Sequence, residues 1–242
     1  MSISRNKEIL KIGIMQPYFL PHFSYFQLIA NTDIFCLHDK LKYTKQSWIN
    51  RNRIILNKKV SFMTMPVKSG SDFEKIDEKQ ISSIFNADKL LNSILFNYRN
   101  SPNVLQVTEL LEKILKYESK NLLEYLINSV KLICNYLDID TKIVKSSDTL
   151  YDSKLLRQEM IIDICKKLKG GEYVNSAGGI TLYDPEVFLD HGIQIRFLKT
   201  YSLNHLNNVQ SINDSLSILD SLMWFDKKLL VSKLYEIEYL SI

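Results

Sequence analysis

Three segments of the chain carry side chains able to do chemistry, at spacings suited to one shared site. The first is Gln16-Pro17-Tyr18-Phe19-Leu20-Pro21-His22-Phe23-Ser24-Tyr25, set between an apolar run that ends at Met15 and a helical pattern that begins near Pro21. His22 and Tyr25 lie three apart and so share one face of a first helical turn. His22 is the side chain here whose ordinary pKa, about 6.5, suits proton transfer near neutrality, and two prolines stiffen the turn that presents it. A Pro-rich turn packed with aromatics produces the same string without chemistry. The second segment, 39–53, holds Asp39, Tyr43, Trp48, Asn50, Arg51, Asn52 and Arg53. Amides read hydrogen-bonding groups, the two arginines grip carboxylate or phosphate bidentately, and Trp48 can wall or stack on a flat ligand. A strand with one solvated face gives the same alternation. The third segment, Asn175-Ser176-Ala177-Gly178-Gly179-Ile180-Thr181-Leu182-Tyr183, joins two glycines that let backbone approach a ligand to the hydroxyls of Ser176, Thr181 and Tyr183. It lacks the GxxxxGK[ST] and GxGxxG spacings of phosphate loops, so an ordinary two-glycine turn stands beside the binding reading. Of the other histidines, His38 reads as a strand-end residue, His191 as the end of a short helix and His205 as part of a polar loop, all structural.

Presenting these segments together requires strands that end just before them. Apolar runs at 9–15, 33–37, 142–145, 173–175 and 193–198 read as strands, and 53–56 with 60–65 as a hairpin closed at Pro66. Helical periodicity covers 21–31, 154–169 and 185–191, the last with proline in its first turn. It also covers 83–138, in three pieces broken near Ser101-Pro102 and Glu118-Ser119. The tail, 216–240, reads as one or two helices docked against the sheet. This alternation predicts an α/β fold, a mostly parallel sheet flanked by helices and Rossmann-like, in a single domain over 1–242 with a helical insertion at 83–138. Ligands of open α/β sheets bind at the carboxyl ends of strands. His22, Asp39, Asn50, Arg51, Ser176 and Tyr183 are therefore expected to converge on one cleft. The spacing His22-x-Ser24-Tyr25 after a strand is a degenerate form of the His-x-Gly-His turn of nucleotidylyltransferases. Tyr25 can donate a hydrogen bond but carries no positive charge at pH 7, so that fold's nucleotide site would be kept with its chemistry changed.

Composition narrows the function class. The chain has 242 residues, of which 45% are hydrophobic and 24% charged, which is globular material rather than a disordered tail. No apolar run approaches the roughly 18 to 20 residues of a membrane span, and the charged start MSISRNKEIL does not read as a secretory signal. Cys36, Cys134 and Cys165 are widely spaced, with neither CxxC nor a Cys/His cluster, so neither a disulfide framework nor a metal site is expected, and a reducing cytoplasm fits. Residues 1–60 hold ten Lys/Arg against three Asp/Glu, which would draw a phosphate-bearing ligand to this part of the chain. No helix-turn-helix, zinc-finger or RNP pattern accompanies that charge, so nucleic acid is not the expected partner.

The chain resembles the WbqC-like family, found among genes for bacterial O-antigen and other surface polysaccharides. The resemblance is nearly full-length. It rests on Ile14-Met15-Gln16-Pro17-Tyr18-Phe19-Leu20-Pro21 followed by Tyr25-Phe26-Gln27-Leu28-Ile29, then Asp39, Tyr43 and Trp48-Ile49-Asn50-Arg51-Asn52-Arg53-Ile54. Asn175-Ser176, Gly178-Gly179, Leu182-Tyr183-Asp184 and Leu216-Ser217-Ile218-Leu219-Asp220 complete the series. Departures are Ser24 where the family usually has Gly, His38 where it often has Tyr, and Lys40 and Lys42 where it tends to have Asp and Gln. The resemblance implies a cytoplasmic bacterial protein that modifies a nucleotide-linked or lipid-linked sugar, as a transferase attaching an acyl or aminoacyl group to an amino sugar. A CoA- or carrier-linked acyl donor would serve as cosubstrate. In this reading His22, Asp39 and Ser176 are catalytic, with His22 the general base, while Ser176 and the Gly178-Gly179 backbone stabilise negative charge. Gln16, Tyr18, Tyr25, Tyr43, Trp48, Asn50, Asn52 and Tyr183 contact substrate, and Arg51 and Arg53 hold its phosphate or carboxylate. The alternatives are nucleotidylyl transfer from a nucleoside triphosphate with Mg²⁺, and a sugar-binding or scaffolding protein without turnover.

Overall fold

The first strand, Lys-Ile-Gly-Ile-Met, points Ile12 and Ile14 to one face and has no side chain between them. A Cβ on Gly13 would stand 2.9 Å from the Phe35 ring, which crosses it from the neighbouring strand. A computed structural model of the chain describes residues 9–57, 59–201, 203 and 216–240. In chain order the elements begin with β1 (Lys11–Met15), α1 (Phe23–Ala30), β2 (Ile34–Leu37), and a hairpin of β3 (Arg51–Leu56) and β4 (Lys59–Thr64). Three helices follow, α2 (Ala87–Tyr98), α3 (Val104–Leu115) and α4 (Leu122–Tyr136). The second half runs β5 (Lys142–Lys145), α5 (Arg157–Lys167), β6 (Glu172–Ser176), α6 (Pro185–Asp190) and β7 (Gln194–Lys199). The chain then forms α7 (Ile218–Trp224), α8 (Lys227–Tyr235) and β8 (Glu238–Tyr239).

The main sheet has the order β5-β2-β1-β6-β7-β8, with every pair parallel except β7 and β8. The chain therefore builds outward from β1 through β2 to β5, then returns to the other side of β1 with β6 and β7. That reversal makes the junction of β1 and β6 the sheet's topological switch point. Side-chain alternation separates two cores. Phe35, Leu37, Val174 and Leu198 pack with α1, the three-helix segment and the tail helices, whereas Ile12, Ile14, Cys36 and Tyr173 pack with α5 and α6. The sheet is thus a doubly wound α/β layer, as the strand pattern predicts.

Local chemistry accounts for the element ends. Asn86 and Asn121 cap α2 and α4 with their side chains, and Asp184 caps α6 ahead of Pro185. The α3 helix buries Val107, Leu110, Leu111, Ile114 and Leu115, an apolar stripe at helical spacing, as expected for this segment. The tail forms the expected two helices and docks on more than the sheet. Its two helices dock on α1 and the hairpin; Gln27 Nε2 donates to the Lys233 carbonyl at 2.9 Å and Asn31 Nδ2 to that of Leu234 at 2.8 Å. The same helices share a core with the sheet's Val174 and Leu198, and β8, whose two residues are too short to carry a strand pattern, pairs with its edge. His205 lies outside the described residues.

Candidate active site

A cleft of about 830 Å³ opens where β1 and β6 end. Gln16 and Tyr18 enter it from the turn after β1, and Asn175 and Ser176 from the end of β6. Gly178, Gly179, Thr181 and Tyr183 line it from a 3-10 turn, Ala177–Leu182, that follows β6. The far wall comes from His38, after β2, and from Arg157 and Gln158, which open α5. Strands run parallel with a twist that splays their following loops apart where the winding reverses, so the crevice is a consequence of the strand order.

The turn after β1 is held from a distance. Leu20 is fully buried at φ 44°, a left-handed conformation that costs a branched side chain energy and persists only when its surroundings impose it. Asn52 supplies that constraint, its Nδ2 donating to the carbonyls of Phe19 at 3.1 Å and Leu20 at 2.9 Å. Ser217 Oγ donates to the same Leu20 carbonyl at 2.8 Å. Tyr25 is in the core; its hydroxyl donates to the Gln16 carbonyl at 3.0 Å and its ring lies 5.6 Å from that of Tyr18. Burial raises the pKa of both tyrosines. These contacts fix the backbone from which Gln16 and Tyr18 reach the cleft.

On the other side, Gly179 is required by proximity. A Cβ there would approach Asn175 Nδ2 to 2.5 Å and the Tyr183 ring to 3.4 Å. Asn175 Oδ1 accepts from the Ser176 N–H at 2.7 Å, and Tyr183 packs edge-on against Tyr173 and Phe188 with its hydroxyl 3.3 Å from that of Tyr173. Burial raises the Tyr183 pKa against the opposing hydrogen bonds from Tyr173 and Asn175, so it is a neutral hydroxyl on the cleft wall. Arg157 takes φ 50° at the first residue of α5, and Leu156 before it has no side chain able to cap the helix. Arg157 thus brings a positive charge to the cleft lining from a helix start without a side-chain cap, an arrangement suited to an anion.

The structure brings Gln16, Tyr18, Ser176, Gly178, Gly179 and Tyr183 to the cleft and sets the other expected site residues elsewhere. Asp39 lies behind His38, with its carboxylate on Ser146 and Ser147 and a neighbouring polar pocket of about 600 Å³ beyond. Asn50 is buried, donating to the Met65 carbonyl at 2.8 Å and accepting from the Tyr43 hydroxyl at 2.9 Å. Arg51 stacks 4.2 Å over the Phe62 ring and Arg53 4.8 Å over that of Trp48, so the outer face of the hairpin is a cation–π ladder. His22 sits at the start of α1 with Nδ1 hydrogen-bonded to Ser24 Oγ. Burial, aided by the Arg53 charge, pushes its pKa down to about 4. Ser24 and Tyr25 are buried, so the degenerate His22-x-Ser24-Tyr25 turn offers the cleft none of its side chains. Sequence reasoning missed His38, Arg157 and Gln158. The adjacency of His38 and Asp39 at a strand's carboxyl end is the one local signal for the first; the other two lie inside what reads as an ordinary helix. Among the described residues, no three His, Cys, Asp or Glu side chains gather as a metal site.

Comparison with known proteins places the chain in a family by its sequence. The sequence profile of the WbqC-like protein family matches residues 16–230, from the cleft's Gln16 to the middle of α8. The chain belongs to the WbqC-like protein family. A relative in Mycobacterium tuberculosis, the uncharacterized protein Rv1507c, is 30% identical over 187 residues, which cover 76% of this WbqC-like chain and 80% of the relative. No solved structure matches. In this WbqC-like chain no helix among the described residues is long and apolar enough to cross a membrane.

Proposed function

We propose that the protein is a transferase that modifies an activated sugar, attaching an acyl or aminoacyl group to an amino sugar used in bacterial surface polysaccharide. The observation that carries this reading is the position of the cleft: it opens at the switch point of a doubly wound sheet, and its mostly apolar wall, with Ile14, Met15, Met160 and Ile161, carries a few amide and hydroxyl side chains. Gln16, Asn175, Thr181 and Tyr183 offer the directional hydrogen bonds that sugar hydroxyls require. Arg157 and the uncapped start of α5 suit the phosphate of a nucleotide-linked or lipid-linked sugar, a role the sequence reading gave to Arg51 and Arg53. Ser176 and the backbone of Gly178 and Gly179 line the cleft and would stabilise the negative charge that develops on an acyl carbonyl. The volume is that of a drug-sized or larger ligand, enough for a sugar and part of its carrier. Family membership supports the sugar context, since the resemblance connects such chains with polysaccharide genes.

The test is a screen of the purified chain. Nucleotide-linked and lipid-linked amino sugars are incubated with acyl-CoA and other carrier thioesters, and products are read by mass spectrometry. The expected result is a mass gain of one acyl or aminoacyl group on the sugar. Pyrophosphate release from ATP or CTP with Mg²⁺ would replace the proposal with nucleotidylyl transfer, and sugar binding without turnover would replace it with a recognition role.

A further inference from the structure

We infer that His38 is a proton acceptor of this cleft, its Nε2 left as the free acceptor by a hydrogen-bond chain through Ser146 to Asp39. The inference rests on the transferase reading for what the reacting group is. The site itself rests on geometry. The His38 backbone N–H donates to the Met15 carbonyl at 2.8 Å, which sets the residue beside the end of β1, and the ring is 3% exposed and lines the cleft. Nδ1 lies 2.9 Å from Ser146 Oγ. Ser146 Oγ in turn donates to Asp39 Oδ1 at 2.7 Å, and the same oxygen accepts from the Ser147 N–H at 2.9 Å.

This chain dictates the tautomer. Burial alone would raise the Asp39 pKa, but hydrogen bonds from Ser147 and Ser146 outweigh it and hold the carboxyl below its usual range, so Asp39 is ionised at neutral pH. An ionised carboxylate only accepts, so the single Ser146 proton points at Asp39 and Ser146 must accept from Nδ1–H. The lone pair is therefore on Nε2. That atom is buried and has no hydrogen-bond partner among the described residues, while the Tyr151 ring meets the imidazole edge-on at 5.7 Å. An unpaired buried acceptor is costly, and in native structures such an atom calls for a functional explanation. Burial pushes the His38 pKa down to about 4, with Asp39 opposing, so the ring rests neutral. Tyr151 is the other titratable side chain in contact with the ring, and Arg157 lines the same cleft. His22 lacks this arrangement: the Arg53 charge opposes proton uptake, and it does not line the cleft.

In the proposed transfer, the amine or hydroxyl of the sugar forms a bond to the acyl carbon of a carrier thioester and gives its proton to Nε2. The acyl–sulfur bond then breaks, and the proton leaves His38 for the departing thiolate, so an amide or ester and a thiol are the net products. Ser146 and Asp39 are positioning residues that balance the imidazolium formed between the two steps.

The test uses the full chain labelled with ¹⁵N, in long-range ¹H–¹⁵N correlation spectra at pH 7.5, with the His38 signals identified by their loss in His38→Gln. The expected spectrum has Nδ1 protonated and Nε2 bare; a protonated Nε2 overturns the inference. Ser146→Ala should give a mixture of tautomers and Ser146→Thr, which keeps the hydroxyl, should restore the single form; an unchanged tautomer in Ser146→Ala overturns the relay. With a donor and acceptor pair that turns over in the screen above, His38→Gln should lower kcat by about 10² to 10⁴ with KM changed only a few-fold. Unchanged kcat in a folded His38→Gln chain overturns the proton-acceptor role. If no pair turns over, the transferase reading fails, and the tautomer result still decides whether His38 holds an open acceptor on the cleft.

Discussion

Replacing Asn52 with alanine tests whether the arginine- and asparagine-rich segment before and within the hairpin binds substrate or builds the turn that does. Asn52 is 1% exposed and makes three hydrogen bonds, to the carbonyls of Phe19 and Leu20 and from the N–H of Arg53. Leu20 keeps Ser217 as a donor in the variant, so two buried backbone groups lose this partner outright and one loses half of its bonding. At about 1 to 3 kcal/mol for each group left unpaired, offset in part by relaxation of the left-handed Leu20, the loss is about 2 to 5 kcal/mol. That is a large fraction of the roughly 5 to 15 kcal/mol a domain has in total. Urea denaturation followed by the fluorescence of Trp48 and Trp224 measures it, with far-UV circular dichroism to confirm that the native state is still populated. Asn52→Asp should be at least as damaging, because it puts a carboxylate against two carbonyl oxygens. A midpoint and slope within 0.5 kcal/mol of the parent for Asn52→Ala, on the order of an inert surface change, would refute the structural role and return Asn52 to ligand contact.

Three other outcomes are expected. The histidines His22 and His38 both have pKa values lowered from 6.5 to about 4, so the unfolded chain takes up protons first as pH falls. Their contribution is complete above about pH 6.5 and is lost between pH 6.5 and 4, on the order of 3 kcal/mol each, and thermal melts of the parent and of the His22→Gln, His38→Gln double variant should show the slope and its flattening. Gly179→Ala must displace the Asn175 side chain and press on Tyr183, so turnover should fall about ten-fold or more while the melting temperature changes little; normal turnover would separate this turn from the site. Arg157→Ala should raise the Kd for the anionic substrate about ten- to hundred-fold, whereas Arg51→Ala, whose guanidinium lies on Phe62, should leave calorimetric affinity unchanged; the reverse result would move the anion site to the hairpin.

The strands, the order of helices and the three helical pieces were legible because each depends on local periodicity and local breakers. The sheet's parallel character was legible too, since connections longer than a hairpin separate its strands. The site was only half legible, and the missing half has a single physical cause. A side-chain amide has no sequence mark saying whether it faces a ligand or a backbone carbonyl thirty residues away. Asn50 and Asn52 look like binding residues in sequence, yet their hydrogen bonds run to Met65, Tyr43, Phe19 and Leu20. His38 shows the converse. Its neighbour Asp39 is visible, but the hydroxyl that joins them belongs to Ser146, 108 residues beyond His38, and nothing in either segment announces the other.

The same long-range bonds make the cleft depend on parts of the chain that never touch it. Gln16 and Tyr18 are aimed by a turn whose left-handed Leu20 is fastened by Asn52 from the hairpin and Ser217 from the start of α7. The hairpin strand β3 is an edge, and its outward groups are satisfied from the same quarter: Ser217 N–H donates to the Arg53 carbonyl at 2.8 Å and Tyr98 Oη accepts from the Ile55 N–H at 3.3 Å. Tyr98 also donates to buried Asp220 at 3.3 Å. Hairpin, helical segment and tail are therefore one connected support behind the turn, although no residue of the three helices lines the main cleft. A signature that mixes cleft residues with buried amides and serines follows from this design, because the backbone that carries Gln16 and Tyr18 to the cleft includes a left-handed Leu20, held in place by side chains contributed from the middle and end of the chain.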